Sequence, residues 1–190
     1  MLRKFRPRVL LRPFSRPAML LSVRTLATTL IILLFAMNAH AQMQSGKDHV
    51  TFEKLNQIKG SVRQTVTVVL KAVIEDGWHT YGLTPTVGPD GLGPEPMSIT
   101  AGPDSVLVAG KGIKIVKGAS KHRDDVWGAD VEEVAGKVEI NVPLFLPAGL
   151  QHGVHNAVIT VGFQMCDGQM CLAPEYIDLP IEILINNVRR

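Results

Sequence analysis

The chain has 190 residues, with 20 lysines and arginines, 17 aspartates and glutamates, and two cysteines. This length favours one domain with a processed or targeting segment, and an apolar fraction of 46% excludes global disorder. Two cysteines exclude a disulfide-dense scaffold and a four-cysteine zinc site.

The positive charge is concentrated at the N-terminus. Residues 1–41 contain seven basic side chains and no acidic ones, which leaves 13 basic and 17 acidic side chains in residues 42–190. Residues 42–190 therefore carry a net charge of about −4 and lack the basic stripe that nucleic-acid binding requires. We expect no nucleic-acid partner.

Residues 1–41 have the order of a secretory signal peptide. The basic stretch ends at Arg24, an uncharged apolar run follows, and the small-x-small motif Ala39-His40-Ala41 closes the segment. The apolar run has about 13 residues, whereas about 20 are needed to span a bilayer. We expect cleavage after Ala41, with Met19 as an alternative start, and a soluble, exported mature chain in a compartment where disulfides form.

The rest of the sequence predicts β-strands. Residues 42–49 are polar and are expected to be flexible. Beyond them, apolar and polar side chains alternate, as in half-buried strands, over 66–74, 138–144, 157–165 and 177–185. Shorter candidates lie at 50–54, 78–81, 97–101, 105–109 and 113–117. No window predicts an amphipathic helix, residues 82–96 resemble a long loop, and seven to nine strands favour an antiparallel sandwich.

Cys166 and Cys171 flank an Asp-Gly turn signal. If residues 167–170 form a loop, the cysteines face each other across an antiparallel pair, about 4.5–5.5 Å apart at Cα, which suits a disulfide. Three interpretations stay open: a redox-active pair, a structural bridge, or a soft-metal site for Cu(I) that adds Met165 and Met170. The strand phase of Met165 instead predicts a core position.

Three segments resemble the N-terminal periplasmic domain of the DsbD thiol:disulfide interchange proteins. Residues 166–174, with both cysteines, resemble its cysteine motif; residues 77–81, Gly-Trp-His-Thr-Tyr, resemble its aromatic strand; and residues 124–128, Asp-Asp-Val-Trp-Gly, resemble its acidic-aromatic segment. The three matches occur in the order of that family. The resemblance spans roughly residues 50–185.

The resemblance implies an immunoglobulin-like antiparallel β-sandwich over residues 50–187 whose cysteines alternate between dithiol and disulfide. Cys171 would form mixed disulfides and Cys166 would resolve them, without a cofactor. The partners implied are thioredoxin-like redox proteins and a membrane-embedded electron transporter, which deliver reducing equivalents to oxidised periplasmic proteins. The chain ends at Arg190, without the family's membrane and thioredoxin-like domains, so we expect a monomer that works with separate partners.

The resemblance also assigns neighbours to the cysteines. Val126 occupies the position of the family's aromatic cap residue, and Trp127 is the nearest replacement. Asp124 and Asp125 match acidic positions and are expected to disfavour the thiolate form. We expect the remaining candidates to line the site from one strand face: His79 and Tyr81.

Two other functions are compatible with the same residues. One is a non-catalytic, immunoglobulin-like binding module in which the disulfide is structural. The other is a periplasmic copper-handling domain that uses the sulfur atoms as ligands.

Overall fold

The structure, a computed structural model, describes residues 44–102, 108–109 and 112–186. The predicted signal peptide at 1–41 and the start of the candidate strand at 105–109 lie outside the described residues. In the described part of the chain, no helix is long and apolar enough to cross a membrane. The described residues form ten strands: β1 (Val50–Phe52), β2 (Ile58–Gly60), β3 (Thr65–Ile74), β4 (His79–Tyr81), β5 (Ser98–Gly102), β6 (Val108–Ala109), β7 (Lys114–Asp124), β8 (Ala129–Phe145), β9 (Gly153–Phe163) and β10 (Glu175–Ile185).

The strands form two sheets. The first has the order β1-β3-β8-β4, and β6 and β7 also pair with β8; the second has the order β2-β10-β9-β5. Every pairing is antiparallel except that of β2 with β10. The fold is an immunoglobulin-like β-sandwich, so the predicted fold class is confirmed.

The core contains side chains from the inner faces of both sheets. The four alternating segments predicted from the sequence supply most of it, and burying each large aliphatic side chain stabilises the fold by about 1.5–3 kcal/mol. Side chains with under 2% exposure include Leu70, Ile140, Leu144, Ile159, Met165, Ile183 and Ile185. The predicted core position of Met165 is therefore confirmed.

Residues 44–49 have defined local structure, and the expectation that residues 42–49 are flexible stays a prediction. Gly46–His49 form a 3₁₀ turn, and the hydroxyl of Ser45 accepts from the N–H of Lys47 and donates to the Glu175 carboxylate at 2.9 Å. His49 is only 7% exposed and stacks on Trp78 with ring centroids 3.7 Å apart. The polar groups of residues 44–49 find partners that are distant in sequence, which the composition of the segment could not indicate.

A long hairpin, β7–β8, crosses the first sheet. β8 pairs with β3 through residues 137–145 and with β4 through residues 133–135. β7 pairs with β8 along both of these stretches, with a bulge around Gly118. Gly118 has φ +90°, and a Cβ there would lie 2.8 Å from the Lys137 carbonyl oxygen. The candidate strand 113–117 therefore continues to Asp124, which carries the hairpin tip to the region of the cysteines.

Replacing Gly118 with alanine tests this bulge. The new Cβ meets backbone atoms in a left-handed conformation, so we expect Gly118→Ala to lower the free energy of unfolding by about 1–3 kcal/mol. Gly149→Ala is the matched control, because a Cβ at Gly149 meets nothing within 4 Å. Urea unfolding measures both. Equal stability of the two variants would show that the bulge needs no glycine.

Candidate functional site

Cys166 and Cys171 form a disulfide across a short hairpin. They are antiparallel bridge partners with Cα atoms 4.1 Å apart, so the predicted facing arrangement is confirmed. The Asp167 carboxylate accepts from the N–H groups of Gln169 and Met170, each at 2.9 Å. An aspartate that binds the backbone two and three residues ahead fixes a tight turn. The sequence therefore closes the loop without help from the disulfide.

The cysteine hairpin is attached to the edge of the first sheet. Cys166 and His79 of β4 exchange two backbone hydrogen bonds, each 2.9 Å long. On the other arm, the N–H of Leu172 donates to the carbonyl of Met165 at 2.8 Å, and Met165 is buried in the core. The chain thus leaves β9 in the second sheet and extends the first sheet beyond β4.

The two cysteines differ in exposure. Cys166 is 2% exposed and packs in a small cluster with Tyr81, Val131 and Trp127, whereas Cys171 is exposed. A thiol from another protein can therefore reach the Cys171 side of the bridge, while the Cys166 side is covered by the domain.

A cavity of about 490 Å³ opens beside the disulfide. All eight residues singled out in the sequence line it. The β7–β8 hairpin and the cysteine loop add further residues, of which the sequence had indicated only Met170, as a ligand of the alternative soft-metal site. The first group comprises His79, Tyr81, Asp124, Asp125, Val126, Trp127, Cys166 and Cys171, and the second comprises His122, Arg123, Glu133, Gly168, Gln169 and Met170.

Glu133 and His122 reach the cavity through strand register. Glu133 is the β8 partner of Tyr81, and the His122 imidazole lies 3.5 Å from the Glu133 carboxylate. No spacing in the sequence connects these residues to the cysteines. The alternation of side chains along the strands beside Tyr81 could have identified Glu133 and His122, but only once the pairing of β4 with β8 was known.

The Tyr81 hydroxyl is the centre of a hydrogen-bond network in the cavity. It accepts from the Trp127 indole N–H at 3.1 Å and donates to Oδ2 of Asp124 at 3.3 Å. The Nε2 atom of His79 lies 3.4 Å away. Burial raises the pKa of Tyr81, and the negative charge of Asp124 acts in the same direction. Tyr81 is therefore a neutral phenol that can donate at physiological pH.

Asp124 also shapes the tip of the β7–β8 hairpin. Its Oδ1 accepts from the N–H groups of Val126 at 2.8 Å and Trp127 at 3.3 Å. The half-buried indole of Trp127 is fixed to Tyr81 and forms a wall of the cavity, whereas the Val126 side chain is 79% exposed. Asp125 is exposed at the tip. The shielding and tuning roles of these residues stay predictions.

Comparison with known proteins places this arrangement in a family. Residues 48–181 match the family described as "Thiol:disulfide interchange protein DsbD, N-terminal". The chain belongs to the DsbD N-terminal family. A search of the curated proteins finds no significant match.

Solved structures of similar fold include two domains of related name. The DsbD N-terminal domain of Neisseria meningitidis in the reduced form is 16% identical, with a TM-score of 0.45, over 79% of this chain and 95% of that one. The N-terminal periplasmic domain of ScsB from Proteus mirabilis is 17% identical, with a TM-score of 0.43, over 70% of this chain and 46% of that one.

Family membership and the Cys166–Cys171 disulfide together support a domain for thiol–disulfide exchange in general. Met165, one ligand of the alternative soft-metal site, lies in the core of the domain. Within the described ranges, no group of three or more His, Cys, Asp and Glu side chains is placed to hold a metal ion.

The difference in exposure predicts which cysteine reacts first with a small electrophile. After reduction, brief treatment with iodoacetamide should label Cys171 before Cys166, because thiol reactivity requires access. Peptide mass spectrometry measures the two sites in the same sample. The single variants Cys166→Ser and Cys171→Ser give the separate rates, and equal rates would contradict the burial of Cys166.

The cysteine loop should also respond to acid. The N–H groups of Met170 and Gln169 hold the pKa of Asp167 below its ordinary value of 3.8. The charged form therefore stabilises the fold, fully so above about pH 4, and this contribution is lost as the pH falls through the lower folded-state pKa. The stability advantage of the wild type over Asp167→Asn, from urea unfolding at several pH values, should shrink in that range. An advantage that grows in acid would contradict this assignment.

Proposed function

We propose that this protein is a periplasmic thiol–disulfide exchange domain that relays reducing equivalents through Cys166 and Cys171. The observation that carries the proposal is the asymmetric disulfide, with Cys171 exposed, Cys166 buried and the hairpin held on both arms by backbone hydrogen bonds. Membership of the DsbD N-terminal family supports the same chemistry.

Exposure of Cys171 sets the order of bond changes. A donor thiolate attacks Sγ of Cys171, the Cys166–Cys171 bond breaks, and the electron pair leaves on Sγ of Cys166. A second donor thiol then attacks the donor sulfur of the mixed disulfide, and this domain is released as a dithiol. Two electrons and two protons have moved from the donor to the domain.

Delivery to a client runs in the opposite sense. The Cys171 thiolate attacks the disulfide of an oxidised protein, and one client sulfur leaves as a thiolate. Cys166 then attacks Sγ of Cys171, which releases the second client sulfur and restores the disulfide. The six-residue hairpin keeps the resolving sulfur beside the mixed disulfide, which gives it a high effective concentration.

The hairpin is built to survive opening of the disulfide. The bridge closes a short loop and adds only about 2 kcal/mol in the chain-entropy model. The backbone pair between Cys166 and His79, the bond from Leu172 to Met165 and the turn at Asp167 do not depend on the sulfur–sulfur bond. The reduced cysteines therefore stay in position for the next partner.

The sequence and the family support the proposed location and partners. The leader at residues 1–41 supports export to the periplasm. We infer that thioredoxin-like proteins and a membrane-embedded transporter supply the electrons, and that Asp124 and Asp125 disfavour the thiolate until a partner docks. Trp127 and Val126 would shape the opening through which the partner's thiol reaches Cys171.

A trapping experiment tests this relay. Exported Cys166→Ser retains the attacking sulfur but lacks the resolving one, so it should accumulate mixed disulfides with thioredoxin-like proteins, visible on non-reducing gels and identified by mass spectrometry. Cys171→Ser is the matched control and should capture none. Equal capture by both variants, or capture of none by Cys166→Ser, would contradict the proposal.

The reduction potential distinguishes the relay from a binding module with a structural disulfide. An exposed exchangeable bridge should have a potential above about −300 mV, whereas structural bridges lie below that value. Equilibration of the purified domain with defined dithiothreitol ratios measures it.

A further inference from the structure

We propose that His79 exchanges the proton of the buried Cys166 sulfur during thiol–disulfide exchange. This inference rests on the proposed function and deepens it, since it names the group that handles the leaving and resolving thiol. Sequence reasoning assigned His79 only a place beside the site.

Strand register places the side chains of His79 and Cys166 on the same face of the sheet. His79 and Cys166 exchange two backbone hydrogen bonds, which makes them a directly opposed antiparallel pair. The side chains of such a pair point to the same face of the sheet, with Cβ atoms about 4.5–5.5 Å apart. Both residues line the same cavity, and the imidazole is half-buried.

Cys166 needs such a group because its sulfur is covered. When the disulfide opens, the negative charge falls on a side chain that is 2% exposed and packed against Tyr81 and Trp127. Burial disfavours a charged sulfur that has no partner. Cys171 has no such need, because it is exposed and water can solvate its charge.

The network at Tyr81 selects the nitrogen that titrates. The single Tyr81 hydroxyl proton is donated to Asp124, so its lone pairs accept from Trp127 and from His79 Nε2. Nε2 therefore carries a hydrogen, and Nδ1 is left to gain or lose a proton. In this arrangement Asp124 and Tyr81 act as positioning residues that fix the tautomer of His79.

The proton balance is complete in both directions. In reduction of the domain, the donor thiolate attacks Cys171, Cys166 leaves with the electron pair, and imidazolium His79 gives it the Nδ1 proton. In oxidation of the domain, neutral His79 takes the proton from the Cys166 thiol, and the resulting thiolate attacks Cys171. The electron pair displaced in that step leaves with the client sulfur.

Other charged or titratable groups line the cavity or its rim with His79. Tyr81 belongs to the same strand, Asp124, Asp125, His122, Arg123 and Glu133 come from the β7–β8 hairpin, and Asp167 comes from the cysteine loop. Of these neighbours, only His122 is another imidazole, so a variant at His122 tells the two rings apart. His152, an exposed imidazole that does not line the cavity, supplies the control.

The pH dependence of disulfide reduction tests the proposal. Purified oxidised protein is reduced with excess dithiothreitol at pH 5.5–8, and each rate is divided by the thiolate fraction of the reagent. With imidazolium as the acid, the corrected wild-type rate should fall by about tenfold between pH 5.5 and pH 8. This is less than general acid catalysis usually contributes, because a thiolate leaves readily without a proton. In His79→Gln the corrected rate should be low and flat.

Three further variants make the result decisive. His79→Phe keeps an aromatic ring against Tyr81 and should also give a flat profile, so a folding defect in His79→Gln does not remove the test. His152→Gln is the control outside the cavity and should keep the wild-type rate and profile, and His122→Gln should keep the pH step. An unchanged pH step in both His79 variants, or its loss in His122→Gln alone, overturns the role of His79.

The same data separate this inference from the proposed function. Reduction of the wild type at a measurable rate, with a step that does not depend on His79, refutes only the proton transfer. A wild-type disulfide that resists dithiothreitol at every pH would refute the exchange function itself.

Discussion

The site depends on one backbone pair, the two hydrogen bonds between Cys166 and His79. They attach the cysteine hairpin to the free edge of β4, although the preceding strand, β9, belongs to the opposite sheet. This pair of hydrogen bonds fixes the orientation of the hairpin relative to the first sheet, whose inner face is buried. The backbone hydrogen bonds that position the cysteines are therefore separate from the sulfur–sulfur bond.

Two aspartate turns face each other across the cavity. Asp167 holds the cysteine loop, and Asp124 holds the tip of the β7–β8 hairpin. Each accepts two backbone N–H groups, so each loop has a fixed shape that depends on local hydrogen bonds. Asp124 has a second role, since its other carboxylate oxygen accepts from the Tyr81 hydroxyl and so connects the hairpin tip to β4.

The proposed chemistry rests on unequal exposure within a single bond. In this proposal the exposed Cys171 accepts or makes the attack and the covered Cys166 leaves or resolves, because access to solvent differs between them. The cost is that charge develops on a covered sulfur. The hydrogen-bonded side chains of His79, Tyr81 and Asp124 line the cavity beside this sulfur, which links the hydrogen-bond network to the proposed exchange chemistry.

The sequence by itself determined the sandwich and the cysteine loop. Alternation of apolar side chains identifies strands such as 157–165 because a half-buried strand has a period of two, and Asp167 with Gly168 predicts the loop because turn chemistry is local. The tertiary structure decided the neighbours of the disulfide. Contacts between segments far apart in the chain bring Glu133 and His122 into the site. Contacts of the same kind set the Gly118 bulge of the β7–β8 hairpin and the local structure of residues 44–49. Such pairings depend on strand register and on the packing of both sheets, which no local pattern encodes.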